Sequence, residues 1–175
     1  MATTITKTIK PSGGDYTSLS AWEAGMQKDL VAADEISVAA CYSMQDTTAV
    51  TIEAWTTDAT RFIRIYTPIS ERHDGKYNAS KYRLEVSDNN ALIISEDFVR
   101  INGLQVKLTS TVNAKFAIST GVSKLGTGAA IYLGYNVILG VISGTGIACY
   151  GISCRNSTSA YTYNAYIHNN IIYDF

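Results

Sequence analysis

Apolar and polar residues alternate over short runs through most of this chain. The clearest case is Phe98–Leu108, where apolar residues hold every second position on each side of an Asn102–Gly103 corner. A period of two puts alternate side chains on opposite faces of a strand. The pattern predicts two short strands that meet at a bend.

Beyond Glu35 the chain continues in short runs rich in β-branched and aromatic residues, which are typical of strands. Besides Phe98–Leu108, these runs are Ile36–Cys41, Ala49–Trp55, Phe62–Thr67, Tyr82–Val86, Ala91–Ser95, Phe116–Ser119, Ala130–Leu133, Val137–Ile142, Ile147–Cys154 and Tyr163–Tyr173. Most connections are too short to hold a helix, which argues against alternating strand and helix units. We therefore expect an all-β fold.

One amphipathic helix is predicted near the start, after a first strand over residues 3–9. Its apolar positions recur at i, i+3, i+7 and i+11 and share one face: Leu19, Trp22, Met26 and Leu30. Ser20 and Glu23 have the spacing of a capping box, although Thr17 or Ser18 could cap one turn earlier. This divides the chain into a strand and cap helix, residues 1–35, and a region of strands, residues 36–175.

A weak internal repeat favours a β-solenoid among the all-β folds. The triplet Asn102-Gly103-Leu104 is echoed by Asn169-Asn170-Ile171, and the interval divides into three steps of about 22 residues. Asn169 and Asn170 are expected to form an asparagine ladder or a corner, since Asn tolerates left-handed backbone angles.

Three segments carry a resemblance to a known family: Gly13–Leu19 with its following helix, Val99–Val106, and Ile167–Tyr173. Together they resemble the right-handed parallel β-helix proteins of the pectin-lyase-like superfamily. The resemblance implies a short solenoid of about six or seven rungs, with the early helix plugging its N-terminal end. That superfamily includes pectate lyases, pectin methylesterases, polygalacturonases and phage tailspikes, so the fold alone selects no function.

Charge and hydropathy exclude several partners. The chain has 14 basic and 15 acidic residues and a formal net charge of −1, which gives no field directed at nucleic acid. No apolar run reaches the roughly 18 residues that a membrane span needs. The first residues show no secretory signal, and we expect a virion or an extracellular surface as the location.

Three cysteines, Cys41, Cys149 and Cys154, are too few for a disulfide framework and match no common zinc spacing. We expect buried free thiols, with a bond between Cys149 and Cys154 as the alternative. No metal and no cofactor is predicted.

Carboxylates are missing where polysaccharide-cleaving chemistry would need them. Between Phe98 and Tyr173 there is no Asp or Glu, so an acid and base pair cannot form on the central and C-terminal strands. No catalytic residue is assigned. The earlier acidic residues Glu85, Asp88, Glu96 and Asp97 keep the question open.

Two groups of residues are candidate ligand contacts. The polar loop between residues 70 and 82 carries Arg72, His73 and Asp74, which could hold a ligand or, equally, form a solvated excursion. Seven of the twelve tyrosines lie in the last 44 residues, and aromatic rings are surfaces on which sugars stack. The tyrosines chosen as candidates are Tyr132, Tyr135, Tyr161 and Tyr163.

Nothing in the final segment Ile171–Phe175 resembles a cap, so the last strands would expose backbone edges and core residues. We expect a longer solenoid or another subunit, such as a homo-oligomer partner, to cover this end. The leading hypothesis is a non-enzymatic structural and recognition module that contacts glycans, either a phage virion or tail-associated protein or a surface protein. One alternative is the N-terminal part of a polysaccharide lyase or hydrolase, and a second is a filament subunit that stacks end to end. Arg100, Gln105 and Lys107 are expected to face outward without carboxylate partners.

Overall fold

A computed structural model of the chain describes residues 1–121, 125–126, 128–155 and 162–175. Strands dominate it, which confirms the predicted all-β class. The helical elements of the described residues are α1 (Leu19–Met26), α2 (Leu30–Ala33) and a single 3₁₀ turn, Ile69–Glu71.

The strands are short, as the sequence predicts. In chain order they are β1 (Thr3–Ile9), β2 (Glu35–Cys41), β3 (Gln45–Asp46), β4 (Val50–Ile52), β5 (Ile63–Tyr66), β6 (Arg83–Ser87), β7 (Leu92–Ile94), β8 (Val99–Asn102), β9 (Gln105–Ser110), β10 (Phe116–Thr120), β11 (Ala130–Gly134), β12 (Val137–Ile142), β13 (Tyr150–Cys154), β14 (Asn164–His168) and β15 (Ile171–Tyr173). The two-residue strand β3 was not predicted, because two residues show no alternation.

These strands form three parallel sheets. One has the order β1-β2-β5-β8-β11-β14, the second β13-β10-β7-β4 and the third β15-β12-β9-β6-β3. From β2 onward, consecutive strands along the chain enter different sheets, so β5, β6 and β7 each lie in a different one, as do β8, β9 and β10. Each circuit of the chain therefore adds one strand to each sheet, about 4.8 Å beyond the last.

The predicted step of about 22 residues is wrong. Ala39, Ile65, Ile101, Leu133 and Ile167 are successive partners in the six-stranded sheet, and they lie 26, 36, 32 and 34 residues apart. The circuits differ in length because their connections differ, as with the long excursion between β5 and β6. Only the strand and corner positions repeat in space, so a fixed interval along the sequence cannot find them.

The core is built from buried side chains of all three sheets. Ile63, Val99 and Ile131 are register partners, and all three are fully buried. Burial of each such side chain stabilises the fold by roughly 1.5–3 kcal/mol. The alternation that the sequence shows is therefore the alternation between this core and the outer faces.

The N-terminal helix is shorter than predicted. α1 ends at Met26 because residues 27–29 leave the helix: Gln27 has an extended backbone, and Asp29 forms a parallel bridge with Thr56. Leu30 begins a separate helix, α2, whose cap is the Asp29 side chain. The helix α1 is capped by Ser18, one of the two residues predicted as an alternative to Ser20, through a hydrogen bond of 3.0 Å from Ala21 N.

Glu23 attaches α1 to the strands. Its Oε1 accepts hydrogen bonds from Trp55 Nε1 at 3.1 Å, Gln27 Nε2 at 2.7 Å and Glu53 N at 3.2 Å. Trp22 and Trp55 lie with ring centroids 5.7 Å apart. Glu23 therefore serves this contact and not the predicted capping box with Ser20.

The corner at Asn102–Gly103 is confirmed, and it recurs on later circuits. Gly103, Tyr135 and Asn169 follow the ends of β8, β11 and β14, and their φ angles are 75°, 57° and 54°. Each is followed by the first residues of the next strand. The left-handed conformation turns the chain from the six-stranded sheet into the five-stranded sheet.

The three cysteines are free in the structure. Cys41 is buried, as predicted, and burial raises the pKa of its thiol. Cys154 is exposed and Cys149 is half-buried, so the prediction of buried thiols is wrong for Cys154. The alternative bond between Cys149 and Cys154 is not formed.

Candidate functional site

The outer face of the six-stranded sheet carries a column of arginine and aromatic side chains. Val38, Arg64, Arg100, Tyr132 and Tyr166 are register partners on five successive strands. The last four of these side chains leave the sheet on the side opposite the core, because they alternate with buried residues such as Ile65, whereas Val38 is buried. The sequence alone could not align them, since the register sets which residues are neighbours.

Arg100, Tyr132 and Tyr166 form a continuous stack with Phe62, the residue that precedes β5. The Arg100 guanidinium lies 3.6 Å from the ring centroid of Phe62 and 5.4 Å from that of Tyr132. The rings of Tyr132 and Tyr166 lie 4.6 Å apart at an interplanar angle of 8°. One face of the Tyr132 ring is thus covered by Tyr166, and Arg100 lies on the side of the neighbouring strand β8, so the ring edge and hydroxyl are the most open parts.

Arg64 lies beside this stack. Its guanidinium is 4.5 Å from the ring centroid of Tyr66, the next outward residue on the same strand. Arginine stacks on aromatic rings through its planar face, and the N–H groups on its edge remain available as donors. We call this surface the arginine–aromatic face, which consists of Phe62, Arg64, Tyr66, Arg100, Tyr132 and Tyr166.

No carboxylate neutralises the arginines of this face. Among the described residues Arg64 and Arg100 form no ion pair, whereas Arg61, on the loop before β5, pairs with Asp34 and Asp58 at 2.9 Å each. The outward positions that pair along the sheet from β5 to β14 contain no Asp or Glu. The face therefore presents positive charge together with phenol hydroxyls and ring edges.

Tyr135, another predicted contact, lies at a corner next to the arginine–aromatic face. Its side chain is 48% exposed, and its ring meets the His168 ring edge-on with centroids 5.3 Å apart. His73 comes to the same corner, where its Nε2 lies 2.8 Å from the carbonyl oxygen of Tyr135. The structure thus brings two predicted residues together, Tyr135 and His73, that are distant in sequence.

The excursion between β5 and β6, residues 68–82, folds back along the corner as a strap. Arg72 reaches the corner of the next circuit, where a Cβ added to Gly103 would lie 2.2 Å from Arg72 Nε. Arg72 also donates to the carbonyl of Thr67 at 3.3 Å. Burial, together with the charge of Arg72, lowers the pKa of His73 and outweighs the contact with Tyr135.

Gln105 holds the strap, which makes the predicted outward position of this side chain wrong. Gln105 is buried, and its Oε1 accepts from Asn78 N at 2.6 Å while its Nε2 donates to the carbonyls of Asn78 and Tyr82 at 3.0 Å each. The strap covers this part of the five-stranded sheet and turns a surface position into an interior one. Of the three predicted contacts on the loop, Arg72 and His73 are half-buried in strap contacts and Asp74 is exposed.

Two remaining tyrosines were predicted as contacts. Tyr163 lies before β14 and shares a 2.7 Å hydrogen bond with Thr120 Oγ1, and burial raises the pKa of its hydroxyl. It therefore belongs to a different corner from Tyr135. Tyr161 lies outside the described residues.

Glu85 borders an open polar groove of about 390 Å³ on the outer face of the five-stranded sheet. The groove is lined by side chains from three strands and their connections: Gln45, Thr47, Ala49, Glu85, Val86, Ser87, Asn89 and Thr109. Glu85 accepts from Tyr77, from Gln45 Nε2 at 2.8 Å and from Arg83 Nε at 2.8 Å, while Lys107 Nζ lies 3.9 Å away. Burial opposes the ionisation of Glu85, but these partners outweigh it and lower its pKa.

The contact with Glu85 corrects the expectation for Lys107, which has a carboxylate neighbour after all. Arg100 does face outward without one, as predicted. The groove itself was missed in the sequence, because its lining residues are ordinary hydroxyls and amides that only the strand register brings together.

The other early carboxylates hold turns. Asp88 accepts from Thr111 N at 2.7 Å, a hydrogen bond that lowers the pKa of Asp88. Glu96 accepts from Trp55 N at 2.9 Å, and its burial raises its pKa. Asp97 accepts from Gly126 N at 2.9 Å. Each carboxylate links its circuit to a neighbouring one.

The last circuit leaves core positions open to solvent. Leu133 is fully buried, whereas its partner Ile167 on the next strand is 44% exposed. Ile138 and its partner Ile172 show the same contrast, with Ile172 46% exposed. The difference arises because β14 and β15 have a neighbouring strand on one side alone.

In the part of the chain that the structure describes, neither helix combines the length and the apolar composition that crossing a membrane requires. Comparisons of the chain with family models, with curated proteins and with solved structures gave no match.

Proposed function

We propose that this chain is a non-enzymatic recognition module that contacts glycans through the arginine–aromatic face. The observation that carries the proposal is the stack of Phe62, Arg100, Tyr132 and Tyr166 on the outer face of the six-stranded parallel sheet. Guanidinium edges and phenol hydroxyls in fixed positions suit the many hydroxyl and acid oxygens of a sugar chain. The stack is prearranged, so binding would cost little side-chain entropy.

The fold that we propose for this module is a right-handed parallel β-helix of the pectin-lyase-like kind. Three parallel sheets visited in turn, an asparagine corner that repeats between circuits and an N-terminal helix packed on the core all support it. Phage tailspikes are among the proteins that the sequence resembles. A virion, a phage tail or an extracellular surface is accordingly the location that we propose.

The positions of the carboxylates support recognition over cleavage. Asp88, Glu96 and Asp97 bond to backbone groups of neighbouring circuits, and Glu85 is surrounded by Arg83, Lys107, Tyr77 and Gln45. A general acid needs a transferable proton at a substrate atom, and the lowered pKa of Glu85 opposes that role. These groups serve the fold.

A partner on the open last circuit is a further part of the proposal. Ile167, Ile171 and Ile172 occupy positions whose counterparts one circuit earlier are buried. A second subunit or a further solenoid circuit would cover them. Mass measured in solution across protein concentration tests this, and a monomer that persists at nanomolar concentration with protected C-terminal amides would contradict it.

A glycan array combined with a reducing-sugar assay tests the recognition role. We expect binding without turnover, and a Tyr166→Ala variant should weaken it. Tyr150→Ala is the matched control, because Tyr150 is also exposed and stacked, on Phe116 at 5.3 Å, but lies on the four-stranded sheet. Turnover by the 175-residue chain, or equal loss in both variants, would refute the proposal.

A further inference from the structure

The two arginines of the arginine–aromatic face, Arg64 and Arg100, form no ion pair among the described residues, whereas Arg61 and Arg83 pair with carboxylates. They are register partners on neighbouring strands, so their backbones lie about 4.8 Å apart. In the described part of the chain, the contacts of their guanidinium groups are with rings: Tyr66 for Arg64, and Phe62 and Tyr132 for Arg100. Two positive side chains on neighbouring strands thus have no carboxylate partner among the described residues.

From this arrangement we propose that the arginine–aromatic face selects acidic glycans, with Arg64 and Arg100 binding the sugar carboxylates. This inference rests on the proposed glycan recognition and names its ligand class. A guanidinium that stacks through its face keeps its edge donors in one plane, and that fork matches the two oxygens of a carboxylate. A carboxylate also supplies the opposite charge that the described part of the chain does not place beside either arginine.

The same stack disfavours single-stranded nucleic acid, the other polyanion that basic and aromatic surfaces bind. Nucleic-acid platforms use open ring faces on which bases stack. Here Tyr166 stacks on one face of the Tyr132 ring, and Arg100 lies over a face of Phe62. Two of the three rings are thus less open than a platform for successive bases requires, whereas the guanidinium edges and phenol hydroxyls remain available to sugar oxygens.

The distribution of charged residues along the chain supports an acidic ligand. Between Phe98 and Tyr173 the chain contains Arg and Lys but no Asp or Glu, so the central and later strands have nothing that repels a carboxylate. The acidic residues that keep the net charge at −1 lie in the first 97 residues and at Asp174. Close to Arg64, the carboxylates of Asp34 and Asp58 are already engaged by Arg61.

The test compares uronic-acid and sialic-acid oligosaccharides with the same oligosaccharides after reduction of each carboxyl to an alcohol. We expect the acidic member of at least one pair to bind the full chain about tenfold or more tightly than its reduced form, and to weaken as salt increases. Equal binding of both members would overturn the acidic-glycan inference while glycan recognition stands. Binding of neither would overturn both, and tighter binding of an oligonucleotide than of any glycan would overturn the inference as well.

Variants assign the effect to the two arginines. Arg64→Gln, at an exposed position, should reduce acidic binding about tenfold and leave binding of the reduced sugar unchanged. Arg100→Lys keeps the charge but loses the planar fork, so we expect a similar loss.

Arg155→Gln is the matched control for these variants, because Arg155 is also exposed and lies 4.4 Å from the Phe116 ring, on the four-stranded sheet. If Arg100→Lys lowers the melting temperature, its loss of binding is not interpretable, and the binding of Arg64→Gln alone tests the assignment. Unchanged acidic selectivity in Arg64→Gln, or an equal loss in Arg155→Gln, would refute the assignment.

Discussion

Asn170 accepts two hydrogen bonds from Asn136 through its Oδ1, one from the backbone N at 3.0 Å and one from Nδ2 at 2.9 Å. Asn136 Oδ1 in turn accepts from Leu104 N at 2.9 Å, and Asn170 Nδ2 donates to the carbonyl of Leu133 at 2.9 Å. These side chains bond backbone groups at the corner, where the sheets supply no partner. The network joins three successive circuits.

Asn136→Ala should therefore be strongly destabilising. Asn136 is fully buried, and its loss leaves Leu104 N and part of Asn170 without partners, so we expect the free energy of unfolding to fall by about 2–4 kcal/mol. Chemical denaturation measures it. Asn164→Ala, at an exposed position of β14, is the control and should change stability by about 0.5 kcal/mol or less. Similar small losses in both variants would show that the corner bonds contribute little.

Gly103→Ala should lower the free energy of unfolding more than Gly13→Ala does, although both glycines have a left-handed φ, 75° and 67°. A Cβ at Gly13 meets nothing within 4 Å, while one at Gly103 would lie 2.2 Å from Arg72 Nε. We expect about 1–2 kcal/mol of loss at Gly13 from backbone strain and a larger loss at Gly103.

The excess at Gly103 should shrink in an Arg72→Ala background, because the clash is with that side chain. Thermal or chemical unfolding of the wild type, the two single variants Gly103→Ala and Arg72→Ala, and the double variant forms a double-mutant cycle. If the cost at Gly103 is the same with and without Arg72, the strap does not constrain the corner.

Asp46 should make stability fall as the pH rises, the reverse of an ordinary carboxylate. Burial raises the pKa of Asp46, and hydrogen bonds from Leu19 N at 2.7 Å and from Thr48 N and Tyr82 oppose it without outweighing it. The folded state then binds the proton more tightly than the unfolded state, so this contribution is full below the unfolded value near 3.8 and is lost as the pH rises through the folded value. Across that range, the free energy of unfolding of the wild type should fall relative to that of Asp46→Asn as the pH rises.

Asp88→Asn is the comparison with the opposite sign. The hydrogen bond from Thr111 N lowers the pKa of Asp88, so its contribution is present above the unfolded value of 3.8 and is lost as the pH falls through the folded value. The difference in unfolding free energy between wild type and Asp88→Asn should shrink on acidification. A pH dependence of the same sign for Asp46 and Asp88 would contradict the assigned environments.

Leu133→Ala should destabilise the chain far more than Ile167→Ala. The two side chains occupy the same core column, but Leu133 is fully buried and Ile167 is 44% exposed. We expect about 2–5 kcal/mol for Leu133→Ala and about 1 kcal/mol or less for Ile167→Ala. Unfolding at low protein concentration measures both. A large loss for Ile167→Ala that grows with protein concentration would show that this end is covered in solution.

The sequence by itself determined the local features of this protein. Alternation predicted the strands around Asn102–Gly103, because a period of two is visible within a few residues. Cap chemistry indicated a helix near Leu19, and the absence of Asp and Glu after Phe98 could be read directly. These features depend on neighbours along the chain, and most of them agree with the structure.

Tertiary structure decided the rest, because circuits of unequal length hide the register. The alternation in the sequence predicts that Gln105 faces outward, yet the strap buries it. The predicted 22-residue step is wrong because the connections between strands differ in length. The groove beside Glu85 was not predicted because only the strand register brings its lining residues together. Above all, Arg64, Arg100, Tyr132 and Tyr166 become neighbours only when parallel strands separated by 32 to 36 residues pair. Contacts of that range are set by the packing of the whole core, which no local pattern encodes.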